Sequence, residues 1–206
     1  PSRFGEGYGL NKNIIDELSK QNVALIITVD NGVHAKEEVA YDRSLGMDVI
    51  VTDHHEGPAE QNELPDCLVI NPILASEAYP FKYLCGAGVA YKFAAALIDS
   101  STLAVETKES LKRRVVDLAA VGTISDCVSL SGENRLIVKQ GLELLRKSPR
   151  RGLRELMEVA AINYSDINAW NISWQITPRL NAAGRIDHAN AAYALLAAQS
   201  REDARP

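Results

Sequence analysis

The sequence predicts an α/β fold, a parallel sheet with flanking helices followed by a mostly helical segment. Two observations carry this. Val23–Val29 (VALIITV) and Val49–Thr52 are short, β-branched apolar runs that end in Asp30-Asn31-Gly32 and in Asp53-His54-His55-Glu56. Both are too short and too branched to prefer a helix, and Gly46 and Gly57-Pro58 punctuate the second as the strand Asp48–Thr52. The second observation is spacing: His54 follows Asp30 by 24 positions. That accommodates strand, crossover helix and strand, a unit whose right-handed connection leaves both strands parallel and opening on one edge. Ligands of open parallel sheets bind at that edge, so Asp30 and His54 are placed to meet there.

The elements follow in order. The glycine-rich opening, Pro1–Gly9, reads as a loop. Asn11 can cap a helix running to about Gln21, with Ile14, Ile15 and Leu18 on one face. The continuous hydrophobicity of Val23–Val29 predicts a strand covered on both faces. A helix over about Ala35–Leu45 precedes the Asp48–Thr52 strand. Cys67–Ile70 is a third short strand, closed by Asn71-Pro72. Cys85-Gly86-Ala87-Gly88 enters an alanine-rich helix to about Ile98, its glycines indicating tight packing more than an anion site. Asp99–Lys108 reads as an exposed connection. Glu109–Val121 carries Leu111, Val115, Leu118 and Ala119 on one stripe, a helix leading into the turn Gly122-Thr123-Ile124-Ser125-Asp126. Beyond it the pattern predicts helices over Asn134–Lys147, Gly152–Ala161 and Ala189–Gln199. Between them stand a strand, Ile172–Ile176, and a small-residue turn, Pro178–Arg185. Trp170 and Trp174 read as core or edge packing rather than base-stacking platforms.

Composition narrows the function. The chain has 206 residues, 46% of them hydrophobic, and a formal charge of −5. That suits one substantial core and excludes a surface coated with basic residues for nucleic acid, though not a local basic groove. Cys67, Cys85 and Cys127 are isolated and odd in number, which predicts buried free thiols in a reducing cytosol rather than disulfides or a zinc knuckle. No stretch approaches the length of a membrane span, and the expected location is cytoplasmic.

The chemistry concentrates at the strand ends. Imidazole and carboxylate together suit Mn²⁺ and other borderline divalent ions. A polar turn after a buried strand would have the same composition as Asp53–Glu56; the convergence with Asp30 is what favours a metal site. Asp126 by itself reads as a cap or turn residue. Arg179 and Arg185 can grip phosphates by bidentate hydrogen bonds or simply face water.

These residues resemble the DHH phosphoesterases. Val51-Thr52-Asp53-His54-His55 looks like that superfamily's name-giving motif. Ile27–Gly32 is similar to its preceding aspartate motif and Gly122–Asp126 to its later one. Pro1–Gly9, Leu84–Ala90 and Pro178–Arg185 resemble segments of its RecJ branch. The resemblance implies a metal-dependent 5′-to-3′ single-stranded DNA exonuclease of repair and recombination, working by two-metal phosphodiester hydrolysis with Mn²⁺ or Mg²⁺. It implies Asp30, His54 and Asp126 as metal ligands, and His55 at the scissile phosphate or completing the metal site. Asp53 would orient the histidines, with Arg179, Asn181 and Arg185 as phosphate contacts. Single-stranded DNA is the implied partner, with a single-strand-binding protein and a helicase as candidates.

It also implies a layout: residues 1–130 as the phosphoesterase domain without its first strand and first motif, 131–206 as its helical continuation, and the C-terminal substrate-binding domain absent. A piece of that kind is expected to bind metal incompletely and to have little activity. The alternatives are a DHH phosphodiesterase acting on short oligonucleotides or cyclic dinucleotides, a related pyrophosphatase, a catalytically silent replication scaffold, and an α/β binding domain without chemistry. The joint presence of Asp30, His54, His55 and Asp126 argues against the last two.

Overall fold

Helix α1 (Lys12–Lys20) opens where Asn11 accepts a hydrogen bond from the Ile14 N–H, as its side chain predicts. The computed structural model describes residues 9–147, 149–186 and 189–204, the side chains of 184–186 excepted, so the predicted opening loop lies outside the described residues but for Gly9. The chain forms two compact units that divide after Ser101.

In the first unit, β1 (Leu25–Val29), α2 (Lys36–Ser44) and β2 (Asp48–Thr52) make the predicted crossover, and β3 (Leu68–Ile70) adds a third strand. All neighbouring strands are parallel in the order β1-β2-β3. Val29 pairs with Thr52, and Thr52 with Ile70. The three strands therefore end at one level, and Asp30, Asp53 and Asn71 follow side by side. Ile26 packs on Ile15 of α1, and Val49 and Val51 on Val39 of α2. Helix α3 (Gly86–Ser100) completes the unit.

One expectation fails here. Strand β1 is covered on one face only: Ile26 and Thr28 are buried, whereas Leu25, Ile27 and Val29 are each 46% exposed. Unbroken hydrophobicity reports that both faces are apolar, not that both are packed. The thiols also differ from expectation, since Cys85 is buried, Cys67 half-buried and Cys127 exposed.

The second unit is helical: α4 (Val105–Arg113), α5 (Val116–Ser125), α6 (Gly132–Lys147) and α7 (Arg151–Val159). After them α8 (Ala169–Asn171), a π-helical turn (Ile172–Ile176) and α9 (Thr177–Ile186) run on without a break, and α10 (Ala189–Ala197) follows. Val121, Ile124, Val138, Leu142, Leu145, Leu153 and Met157 form its core together with Ile167, Ile172 and Ile176. Helices α5 and α6 approach so closely that a Cβ on Gly141 would lie 2.2 Å from that of Ala120.

Four readings are corrected. Ile172–Ile176 is helical rather than a strand, Pro178–Arg185 lies in α9 rather than a turn, and Gly122–Ser125 is the last turn of α5. Trp170 and Trp174 are exposed, not packed. Among the described residues, no helix is long and apolar enough to cross a membrane.

Asp42 on α2 is fully buried, and neither carboxylate oxygen has a hydrogen-bond partner among the described residues. Burial pushes its pKa up to about 6 from the ordinary 3.8. The folded state thus holds this proton more tightly than the unfolded chain. Above the folded value the buried anion costs stability, on the order of 2 kcal/mol, and the cost is relieved as pH falls toward the unfolded value. Asp42→Asn is expected to raise Tm by about 5 °C near pH 8, with the gain shrinking below about pH 5. Thermal denaturation at both pH values checks this; a pH-independent difference would remove the buried-anion explanation.

Candidate metal centre

Three hydrogen-bonded devices shape the edge beyond the strands. Asp30 follows β1 with its N–H donating to Thr52 O at 3.0 Å, and its φ of 66° turns the chain sharply. Left-handed backbone of this kind is tolerated by Asp and Asn better than by other side-chain-bearing residues. The buried Thr52 hydroxyl donates to Thr28 O (2.7 Å) and the Thr28 hydroxyl to Asn31 O (2.7 Å), tying the two strand ends together. Asn71, also buried, donates from Nδ2 to His55 O at 2.9 Å and fixes the loop that carries both histidines.

Asp53 is the buried hub, with 1% of its side chain exposed. Its Oδ2 accepts from the Val33 N–H (3.0 Å). Its Oδ1 accepts from the His54 N–H (2.8 Å), the His55 N–H (3.3 Å) and His55 Nδ1 (2.7 Å). Burial alone would raise the pKa of this carboxyl. The donors, led by the Val33 N–H and the His55 ring, outweigh burial and hold it below the ordinary carboxylate range. Asp53 therefore stays anionic at neutral pH, and as the acceptor for His55 Nδ1–H it leaves Nε2 of that ring as the ligand atom.

His54 Nε2 lies 2.9 Å from Asp30 Oδ1, and the two imidazole rings are 4.4 Å apart at 50°. Ligand atoms of Asp30, His54 and His55 all fall within 4.8 Å of one another. Three such residues this close together could hold one divalent ion. Gly86, the first residue of α3, makes room for the Asp30 carboxylate: a Cβ there would sit 2.4 Å from Asp30 Oδ1. Spacing alone suggests tight packing for this glycine, and the structure shows which side chain it admits.

The other predicted residues lie in the second unit. Asp126 caps the C-terminus of α5, its N–H donating to Gly122 O at 2.9 Å. Arg179 is exposed on α9 and donates from Nη1 to Gln175 O at 2.7 Å, and Asn181 is exposed on the same helix. The side chain of Arg185 lies outside the described residues. Sequence reasoning gave no role to Asn71 or Val33. Asn71 had a signal, because it follows a strand at the same level as Asp30 and Asp53.

The N-terminal domain model of the DHH family matches residues 4–123. The chain belongs to the DHH family. It is 43% identical over 206 residues to the single-stranded-DNA-specific exonuclease RecJ of Bacillus subtilis, covering 99% of this chain and 24% of that protein. The RecJ of Escherichia coli K12 is 37% identical over 216 residues, covering 100% of this chain and 36% of that protein. This DHH chain thus spans about a quarter to a third of the length of those relatives. Its fold matches a crystal structure of exonuclease RecJ bound to manganese with a TM-score of 0.83 at 34% identity, over 100% of this chain and 49% of that one. It also matches RecJ in complex with Mn²⁺ from Thermus thermophilus, TM-score 0.80 at 33% identity, over 96% of this chain and 28% of that one.

Proposed function

We propose that this DHH chain is the metal-binding core of an exonuclease that hydrolyses phosphodiester bonds of single-stranded DNA from the 5′ end. The observation that carries the reading is the convergence of Asp30, His54 and His55 ligand atoms within 4.8 Å at the parallel strand ends. Two imidazoles with a carboxylate form a borderline donor set that fits Mn²⁺ better than Mg²⁺, and similar RecJ structures hold Mn²⁺ or Mg²⁺. A divalent ion supplies Lewis acidity at the phosphodiester and makes water a stronger nucleophile.

The remaining work belongs to the side chains. Asp30 would hold the ion through its carboxylate, and His54 through Nε2. His55, its tautomer set by Asp53, presents Nε2 to the ion or to the scissile phosphate. Asp126 is assigned as a further metal carboxylate, and Arg179, Asn181 and Arg185 as phosphate contacts. Residues 1–130 are assigned to the phosphoesterase domain and 131–206 to its helical continuation. The family match over 4–123 supports this, although compactness divides the chain earlier. The proposed setting is cytoplasmic DNA repair and recombination, beside a single-strand-binding protein and a helicase.

The test is digestion of 5′- and 3′-labelled single-stranded DNA with Mn²⁺, run on this chain and on a longer chain containing it. Loss of the 5′ label first by the longer chain, with duplex DNA spared and little digestion by this chain, is the expected result. Cleavage confined to dinucleotides or cyclic dinucleotides would replace the substrate assignment.

A further inference from the structure

Two tryptophans stand in water on the second unit. Trp170 is 60% exposed and Trp174 is 68% exposed, while Ile172 and Ile176, interleaved with them, are buried to 1% and 0%. The stretch is helical, with α8 running into the π-helical turn. Residues four apart share a face at either helical pitch, so the two indoles project on one side and the two isoleucines on the other. The core takes the isoleucines and leaves a pair of indole faces outside.

The surroundings select the occupant. Residues 167–186 contain no Asp or Glu and two arginines, in a chain with 27 acidic residues and a net charge of −5. Around the indoles stand neutral amides, Asn168, Asn171 and Gln175, with Asn171 Nδ2 donating to Gln175 Oε1 at 2.8 Å. Arg179, five residues after Trp174, is exposed and donates from Nη1 to Gln175 O at 2.7 Å. Between Asp166 and Asp187 the only charged side chains are cationic, so a phosphate backbone meets less repulsion along this stretch than the net charge of the chain implies. Exposed aromatic faces beside a cation are what single-stranded nucleic acids bind without sequence preference, bases stacking and phosphates pairing.

We infer that Trp170 and Trp174 form a base-stacking platform for single-stranded DNA, with Arg179 contacting the phosphate between stacked bases. This assigns a second contact region to the substrate proposed above and rests on that reading for the identity of the ligand.

The chain has only these two tryptophans, so intrinsic fluorescence reports this face alone. The experiment titrates the 206-residue chain with oligo(dT) of about 12 nucleotides, with metal chelated so that nothing is cut. Tryptophan emission and the anisotropy of a labelled oligonucleotide are read together, and metal-dependent digestion is scored separately. Saturable quenching is expected, weakening with salt. Trp174→Ala should lower affinity about 10-fold or more, and Trp174→Phe should retain most of it. Both variants should fold, because the replaced ring is exposed. Binding without quenching, or with Trp174→Ala unchanged, overturns the platform while leaving the nuclease reading in place. Absence of binding overturns it too. Emission that changes with protein concentration instead of with oligonucleotide would show the face covered by a second copy and overturn it as well. Quenching by this chain, with no digestion under Mn²⁺ or Mg²⁺ even by a longer chain containing it, supports the platform and removes the nuclease reading.

Discussion

In a longer chain containing this one, Asp30→Ala is expected to abolish metal-dependent phosphodiester hydrolysis, by more than about 10³-fold, while leaving the sheet folded. A bound metal would contribute several kcal/mol of charge stabilisation in the transition state, and Asp30 supplies the carboxylate of the three-residue cluster that would hold it. The substitution also touches the backbone, because Asp30 has a φ of 66°. Alanine bears more strain there than aspartate, so Asp30→Asn is the fold-preserving companion: it keeps the left-handed preference and removes the charge. Isothermal titration with Mn²⁺ and digestion assays on both variants, with circular dichroism as the folding control, separate the effects. Turnover retained in Asp30→Asn at the parental metal affinity would sink the metal assignment.

Arg150→Ala should produce the largest loss of stability in the second unit. Arg150 grips Asp117 in a fork, Nε to Oδ2 at 2.8 Å and Nη2 to Oδ1 at 3.0 Å. The same guanidinium donates to Arg114 O at 2.7 Å and to Leu196 O at 3.2 Å, joining the ends of α4 and α10 to the start of α7. Asp117 is buried. Removing the cation leaves a buried carboxylate without its counter-charge, a change that costs about 3–5 kcal/mol. For a chain of this size that lowers Tm by roughly 6–15 °C. Arg150→Lys should recover little, since an ammonium cannot meet three acceptor groups in fork geometry. Arg150→Met with Asp117→Leu should recover more than either single change. If Arg150→Ala melts within about a degree of the parent, the pair is not coupled as drawn.

Both sites show how much of the molecule could be read before any coordinates. The crossover from β1 through α2 to β2 follows from two apolar runs and the distance between them, because a parallel pair needs a connection of that length. Once the strands are parallel, Asp30 and His54 open on the same edge, and local chain geometry alone brings them together. The role of Asp53 in orienting a histidine came with the resemblance to the DHH motif, and the Asp53–His55 hydrogen bond gives it a physical basis.

The helical half was less legible for an equally physical reason. Ile172-Ser173-Trp174-Gln175-Ile176 has period two, which suits a strand with Ile, Trp and Ile on one face. The period of four between Ile172 and Ile176 fits a helix equally well, and then the tryptophan falls on the other side. Five residues cannot decide between the two periods. What decides is a core that accepts two isoleucines, reached through a helix start where Asn168 and Asn171 cap each other.

By itself, then, the sequence determined the parallel α/β core and the meeting of Asp30 with His54, since short-range connectivity and strand chemistry suffice for both. Only the tertiary structure decided what lies across long separations: the Val33 N–H on Asp53, Gly86 against Asp30, Asn71 beneath the histidine loop, and the exposure of Trp170 and Trp174. Packing sets those contacts, and packing depends on which faces meet, a quantity that no single segment contains.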